Sequence, residues 1–448
     1  MLNRLFSIVS SLRLTVICLV SAMVLVFAGT LAQVHLGLWD AQKQYFHSLL
    51  VFWTPKGTDW KIPVWPGGYL LGWVLLINLI AAHLKRFQVT KKKIGIFLTH
   101  IGLIVLLVGQ FLTELFQVES NMRFEEGEAK NYSESTRHTE LAIVDVTDPT
   151  FDEVVAVPDH ALAHKSEIRP PKLPFTVRVK EWYPNSNPRL VAPVAEPDVP
   201  FGTHGAGTRL TFTPMPPTTK MDDINFPAAQ IEIVTDKGGE STWMVSNWLS
   251  FQEAVNSVQQ QFGAMLGDAL QKPQEFTHAG RTYQLTLRQT RYYKPYSIAL
   301  RDFRHDRYIG TDIPKNFSSE VTVRNPSTGP AQEQRDVLIY MNKPLRYGGE
   351  TYYQGSFDPR NERISILHVV RNPVWLTPYI SCSLVALGLI VQFLMHLLGF
   401  ARKSAGKSSP PPKETQEAKS SSRKVKTRRP AAAVEVAALH RTAQRRSS

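Results

Sequence analysis

The chain has 448 residues, with 51 Lys+Arg against 38 Asp+Glu, two Cys and 30 Pro, enough for two or three folded units at roughly 100–200 residues each. Two cysteines exclude a disulfide-stapled secreted scaffold and a Cys-rich zinc or iron–sulfur framework, and with no Cys-x-x-Cys-His the chain is not itself a c-type haem polypeptide. Residues 401–448 hold 13 Lys+Arg and three Glu, which accounts for ten of the thirteen net positive charges; the near-neutral remainder argues against a folded nucleic-acid-binding surface.

In chain order, four stretches have the length and apolarity of membrane-crossing helices, which need roughly 20 mostly apolar residues. Leu14–Leu31 carries no charge, Gly67–Leu84 contains one Asn and one His, Ile94–Leu112 contains one His and one Gln, and Val374–Phe400 is interrupted only by Pro378 near its start. Ala28-Gly29-Thr30 resembles a small-residue cleavage site, so a removed signal peptide is the rival reading of the first stretch. Arg4 and Arg13, the turn from His83 to Lys93 with its five cations, and the basic tail after Arg402 share one face if the chain crosses four times. Excess Lys and Arg mark the cytoplasmic side, so both termini are expected inside.

The expected organisation is therefore a polytopic membrane protein in which a large β-rich extracytoplasmic domain separates transmembrane helices three and four. Residues 1–32 form the N-terminus and helix one, 33–66 an outer loop, and 67–112 helices two and three with their basic turn. The outer domain occupies 113–373, helix four 374–400, and a disordered basic cytoplasmic tail 401–448. Within the outer domain, apolar residues alternate over Phe175–Val179, Arg209–Thr213, Gln230–Val234, Tyr283–Leu287 and Glu320–Arg324, the period of half-buried antiparallel strands. One helical stretch is expected near Phe251–Ala269. Cys18 and Cys382 both fall in apolar stretches, so the outer domain has no thiol chemistry. The tail is too polar to bury a core and reads as a solvated segment resting on anionic lipid, with nucleic-acid binding by Arg423–Arg429 as its rival.

Catalytic signatures are scarce: no Gly-x-Ser-x-Gly, Walker loop, His-Glu-x-x-His or dinucleotide fingerprint occurs, and the outer carboxylates form no interpretable acid–base pair. Ionisable groups at membrane depth are costly and usually face a partner, cavity or cofactor. His100 stands about 9 Å into the third stretch at 1.5 Å per residue, with Gly102 allowing a helix or flat ligand to approach. Its imidazole could ligate haem iron or hydrogen-bond another helix. His83 and His396 lie near cytoplasmic ends, where snorkelling accounts for both. Lys85, Arg86 and Lys91–Lys93 are topogenic, with contact to haem propionates as the minor alternative. His35 and His47 flank a loop bearing Trp39, Trp53, Trp60 and Trp65, either an interfacial anchor or a surface that shields an apolar cofactor at the membrane edge.

Several local sequences, set in this layout, resemble the ResB/CcsB family of cytochrome c biogenesis proteins (system II). They are Ser10-Ser11-Leu12-Arg13-Leu14-Thr15, Gly29-Thr30-Leu31-Ala32-Gln33, Thr99-His100-Ile101-Gly102, the run Met341-Asn342-Lys343-Pro344-Leu345-Arg346-Tyr347-Gly348-Gly349, Tyr352-Tyr353-Gln354-Gly355-Ser356, and Arg371-Asn372-Pro373. The likeness covers residues 1 to about 400. It departs at Ala81-Ala82-His83, in the region Phe151–Pro217, and in the tail. The resemblance implies a bacterial inner-membrane subunit that works with a CcsA-type multi-span partner to move haem b outward and present it to apocytochrome c. It implies that His100 is one axial haem ligand and that the second comes from the partner; His83, Lys85 and Arg86 are minor candidate haem contacts by their position alone, not by the resemblance. No Trp-rich haem-presenting cluster is visible, so presentation belongs to another chain. Having no outer thiol and no identifiable pair of outer ligands, this chain is expected to be a non-catalytic or co-catalytic subunit of a haem lyase complex. The competing expectation is a membrane-anchored scaffold or sensor whose β-rich outer domain binds a ligand or protein and no haem.

Overall fold

A computed structural model describes residues 2–55, 57–58, 60–86, 93–190, 202–218, 224–236, 238, 240–251, 273–311, 314–326, 333–358 and 361–407. The expected helix near Phe251–Ala269, Lys91, Lys92 and nearly all of the basic tail lie outside them. By its internal contacts the chain divides into Met1–Gln392 and Phe393–Ser448; the described part of the second unit is the end of the last helix.

Four helices are long and apolar enough to cross a membrane. A short helix α1 (Leu2–Val9) precedes α2 (Leu12–Ala41), and α3 (Gly68–Arg86), α4 (Ile94–Phe116) and α6 (Thr377–Lys407) follow in chain order. Ser11 opens α2 by accepting the Arg13 N–H on its hydroxyl at 3.2 Å, a side-chain cap for one of the orphan amides of a first turn. The expected exit at Leu31 does not occur. With no proline to stop it, α2 runs to Ala41 and passes into a π turn, Gln42–Phe46. Gly37 kinks it with φ 77°, a left-handed conformation that glycine adopts at no steric cost. The extension reaches the β-rich domain, where the Arg137 guanidinium lies 3.6 Å from the centre of the Trp39 ring. After the π turn, β1 (Leu50–Trp53) and β2 (Ile62–Pro66) make a hairpin that leads into α3.

Between α4 and α6 the chain is β-rich, as the alternating pattern predicts. Its strands are β3 (Val118–Glu125), β4 (Ala129–Asp145), β5 (Glu153–Pro158), β6 (Glu167–Ile168), β7 (Phe175–Tyr183), β8 (Ser186–Leu190), β9 (Leu210–Pro214), β10 (Ala228–Thr235) and β11 (Glu240–Ser246). They continue with β12 (Gln274–His278), β13 (Arg281–Arg307), β14 (Pro314–Asn325), β15 (Glu333–Tyr340), β16 (Leu345–Tyr347), β17 (Glu350–Asp358) and β18 (Asn361–Arg371). A one-turn helix, α5 (Asp159–His164), follows β5.

Among the described residues, the largest sheet has ten strands in the order β15-β14-β13-β4-β3-β18-β17-β16, with β12 on β13 and β5 on β4. A smaller sheet runs β11-β10-β7-β6. The long strand β13 serves two cores, and its pairing with β4 is interrupted by irregularities at Gln289–Arg291 and Tyr293–Ile298, which bend the sheet. On one side of the bend Leu141, Ile143, Leu285 and Leu287 pack against Val177, Ile231, Ile233 and Val245 of the smaller sheet, a face-to-face sandwich. On the other side the large sheet rolls over its own core of Phe124, Ile298, Val321, Tyr352 and Leu367. A tight turn follows β15, in which Tyr340 and Lys343 exchange backbone hydrogen bonds of 2.8 and 3.3 Å ahead of β16.

The β-rich domain is held to the helix ends at its root. β3 begins two residues after α4, β18 ends six residues before α6, and the two strands pair from Val118↔Arg371 onward. Asn372 donates from Nδ2 to Gln117 Oε1 at 3.3 Å and accepts the Val374 N–H on Oδ1 at 2.9 Å. One asparagine therefore ties the exit of α4 to the approach of α6.

Candidate functional site

One glycine-lined face decides where the side chains of α4 point. Gly95, Gly102 and Gly109 recur every seven residues and are all buried, a stripe that allows close helix approach. A Cβ on Gly95 would come within 2.7 Å of the Gly388 carbonyl and the Gln392 amide, and one on Gly102 within 2.7 Å of Val385 Cγ2. The neighbour that uses the space at Gly102 is α6. His100 is two positions from Gly102, so it leaves the helix about 200° around, on the side of α3.

There it meets His83. The imidazole rings of His83 and His100 are 4.7 Å apart between centroids and nearly perpendicular at 78°, and Phe97 lies 6.3 Å from the His83 ring. His83 Nδ1 is 3.3 Å from the Leu79 carbonyl one turn back. Donation there puts the proton on Nδ1 and the lone pair on Nε2. Nδ1 of His100 is buried and makes no hydrogen bond within the chain; the Ile96 carbonyl faces it without meeting hydrogen-bond geometry. Buried ring nitrogens are normally paired, so this atom is suited to an incoming donor or a metal.

The pair cannot itself clasp one iron from both sides. With metal–nitrogen bonds of about 2 Å, a bis-imidazole sandwich separates the coordinating nitrogens by about 4 Å and the ring centres by more. At 4.7 Å between ring centroids no such gap exists. His83 packs edge-on against His100, and no metal-sized gap separates the two rings.

The other expected contacts divide. Lys85 donates from Nζ to Ser7 Oγ of α1 at 3.0 Å, and the Arg86 side chain lies outside the described residues. His35 is exposed on the extension of α2, and His396 is exposed on α6. His47 is at the opposite end of the α3–α4 pair from His100. Asn78, which nothing in the periodicity singles out, is 2% exposed. Its Nδ2 donates to the Val9 carbonyl at 2.6 Å and the Ser11 carbonyl at 3.1 Å, while its Oδ1 accepts from Thr15 Oγ1 at 2.6 Å. The Ser10–Thr15 run is therefore the joint between α1 and α2, clasped by α3. The signal for Asn78 was a lone amide in an apolar stretch, where an unsatisfied polar group is costly.

The remaining motif residues are structural. Gly29 receives the Phe46 ring of the π turn, which would be 2.8 Å from an added Cβ. Gly348 and Gly349, with φ of 60° and 79°, form the two-residue turn between β16 and β17, a geometry that needs positive φ twice. This hairpin sits on a buried polar knot. Lys294, its side chain 3% exposed, is 2.7 Å from Glu350 Oε2. The same carboxylate oxygen accepts from Tyr352 OH at 2.7 Å and Tyr296 OH at 3.0 Å. Burial pushes both phenols above their ordinary range, with Glu350 adding to the effect. From the hairpin, the Arg346 guanidinium lies 4.5 Å from the Trp375 ring centre at the start of α6. Gln354 joins Ser319 of β14 at 2.7 Å to Ser365 of β18 at 3.2 Å.

A profile of the ResB-like family matches residues 243–366, from β11 through most of β18. Protein NrfI of Wolinella succinogenes is 34% identical over 100 residues, which is 22% of this chain and 11% of NrfI. The matched part is thus a small share of that relative's length. The β16–β17 hairpin and the buried polar knot described above lie within the profile match. Over residues 243–366 the chain is similar to the ResB-like family.

Proposed function

We propose that this chain is a membrane subunit of a cytochrome c biogenesis complex of system II, holding haem b in transit at His100 while a CcsA-type partner supplies the second axial ligand. The observation that carries the proposal is the buried, unbonded Nδ1 of His100 on the face of α4 turned away from α6. Similarity to the ResB-like family supplies the cargo and the partner class. Haem iron brings the porphyrin's own four nitrogens, so one imidazole from each of two chains completes its coordination.

In this reading α2, α3, α4 and α6 cross the bacterial inner membrane with both termini in the cytoplasm, and the β-rich domain stands outside near apocytochrome c. His83 packs edge-on against His100 and sets its orientation. Lys85 and Arg86 lie at the cytoplasmic end of α3, where cations favour the propionates. The chain makes no thioether bond alone.

The test is the absorption spectrum of the full chain purified with its multi-span partner. A reduced haem spectrum that weakens in His100→Ala and returns with added imidazole is the expected result. Equal haem in both samples overturns the assignment to His100. An intact complex without haem in either favours the scaffold or sensor reading.

A further inference from the structure

The joint between α1 and α2 carries a groove that the proposed function leaves unused. Asn78 of α3 holds the Val9 and Ser11 carbonyls, and Lys85 reaches back from α3 to Ser7 of α1. The Ser11 amide also closes on the Ile8 carbonyl at 3.0 Å. These bonds fix α1, the Ser10-Ser11 turn and the start of α2 as one unit. Beside it, an open groove of about 340 Å³ is lined by Leu12, Arg13, Val16 and Ile17.

Helical spacing gives the groove its shape. Residues three and four apart share a helix face, so Arg13, Ile17, Val20 and Val24 form one stripe, and all four are exposed. From Arg13 to Val24 is eleven residues, about 16 Å at 1.5 Å per residue. A bilayer's hydrocarbon core is roughly 30 Å thick, so the stripe has the length of one leaflet. It bears a cation at one end and only aliphatic carbon beyond. On α1, Leu5 and Ile8 are exposed three residues apart, as in a short helix that lies in the membrane interface.

Arg13 stands where its helix alone disfavours a cation. The first turn is the positive end of the helix dipole, which favours anions, and α2 has no acidic residue there. No Asp or Glu occurs in residues 1–39, 60–113 or 377–407, so this end of the helices is built from cations such as Arg4, Arg13 and Lys85. Topology accounts for the sign of such an end and not for an apolar groove beginning at one of its cations. The counter-charge comes from the surroundings, which for the end of an apolar helix are lipid headgroups. A guanidinium pairs with phosphate through two parallel N–H groups.

We propose that the α1–α2 joint binds one anionic phospholipid of the cytoplasmic leaflet, with its phosphate on Arg13 and one acyl chain along Val16, Ile17, Val20 and Val24. The site is independent of the haem assignment and rests only on the reading that α2 crosses the membrane with its N-terminus inside.

The experiment is native mass spectrometry of the purified full chain in detergent, titrated with phosphatidylglycerol or with phosphatidylcholine of the same acyl chains. Wild type is expected to retain one phosphatidylglycerol under conditions that strip phosphatidylcholine. Arg13→Gln should weaken phosphatidylglycerol binding by roughly fivefold and leave phosphatidylcholine unchanged. Val16→Trp should weaken it by filling the groove with the charge intact, and Arg402→Gln, at the far end of α6, should not alter it. Inorganic phosphate in excess should leave the lipid bound. Equal retention of both lipids by wild type, or unchanged binding in Arg13→Gln, overturns the proposal. So does an equal loss in Arg402→Gln, which would mean a diffuse basic face, or displacement by phosphate alone, which would mean a plain anion site. Displacement by equimolar hemin overturns it in favour of haem propionates. Gel filtration checks folding, and if Arg13→Gln misfolds, Val16→Trp decides by the same comparison.

Discussion

Tyr352 is fully buried, and its hydroxyl has the Glu350 carboxylate and Tyr296 hydroxyl as neighbours at 2.7 and 2.9 Å. Burial first, and these neighbours second, raise its pKa above the ordinary phenol value. A pKa raised on folding means that the folded state favours the protonated form. Its stabilisation is fully present below about pH 10, where the unfolded phenol titrates, and is lost as pH rises above that. The slope is about 1.4 kcal/mol per pH unit for one such group. The urea midpoint of the protein is therefore expected to fall between pH 9 and 11 more steeply for wild type than for Tyr352→Phe, and parallel curves would refute the assignment. The variant costs about 1–2 kcal/mol at neutral pH through its lost hydrogen bond. His100 was legible at this scale because a histidine in an apolar run stands out by type alone. His83 as its neighbour was not, since that contact depends on how α3 and α4 pair, and the Glu350 knot draws on residues from β13 and β17.

Helices show the same division. Apolar length identified α2, α3, α4 and α6, and alternation identified β7, β9, β10, β13 and β14. The end of α2 was misjudged because hydropathy falls after Leu31 while nothing in the backbone stops the helix there; the Trp39–Arg137 contact and the Gly37 kink belong to the extension. Gly95, Gly102 and Gly109 form the seam through which α4 meets Thr377–Gln392 of α6. Gly102→Leu places a branched side chain where an added Cβ alone would approach Val385 and the Ser381 carbonyl within 2.9 Å. Overpacking of this kind costs about 1–3 kcal/mol. A lower melting temperature in detergent is expected for Gly102→Leu and, under the proposed haem role of His100, reduced haem retention as well. An unchanged melting temperature would show that the seam is not tight in the membrane.

At the scale of the whole molecule, the β-rich domain is an insertion whose two ends pair with each other as β3 and β18, and Asn372 fastens that root to the end of α4. Such a root requires α4 to end and α6 to begin on the same side of any membrane they cross. Alkaline phosphatase fusions after residue 150 are expected to be active, and fusions after residue 407 inactive, as basic flanks on the cytoplasmic side require. The reverse pattern would invert the topology and move His100 to the outer third of the bilayer.

Composition and periodicity by themselves determined the class of this protein. Long uncharged runs have few stable environments outside a bilayer, and period-two segments bury one face only as strands. Local sequence also carried the likeness to the family, through short runs whose roles turn out to be architectural: Ser10–Thr15 as a joint, Gly29 as a seat for Phe46, Gly348–Gly349 as a turn and Asn372 as a clasp. Tertiary structure alone decided which side chains meet. His83 and His100 are 17 residues apart in sequence, Tyr69 and Glu114 are 45, and Lys294 and Glu350 are 56. Local pattern records which face of an element is apolar and not which element will cover it. The polar pairings therefore became visible only once antiparallel helices and the rolled sheet had brought those faces together.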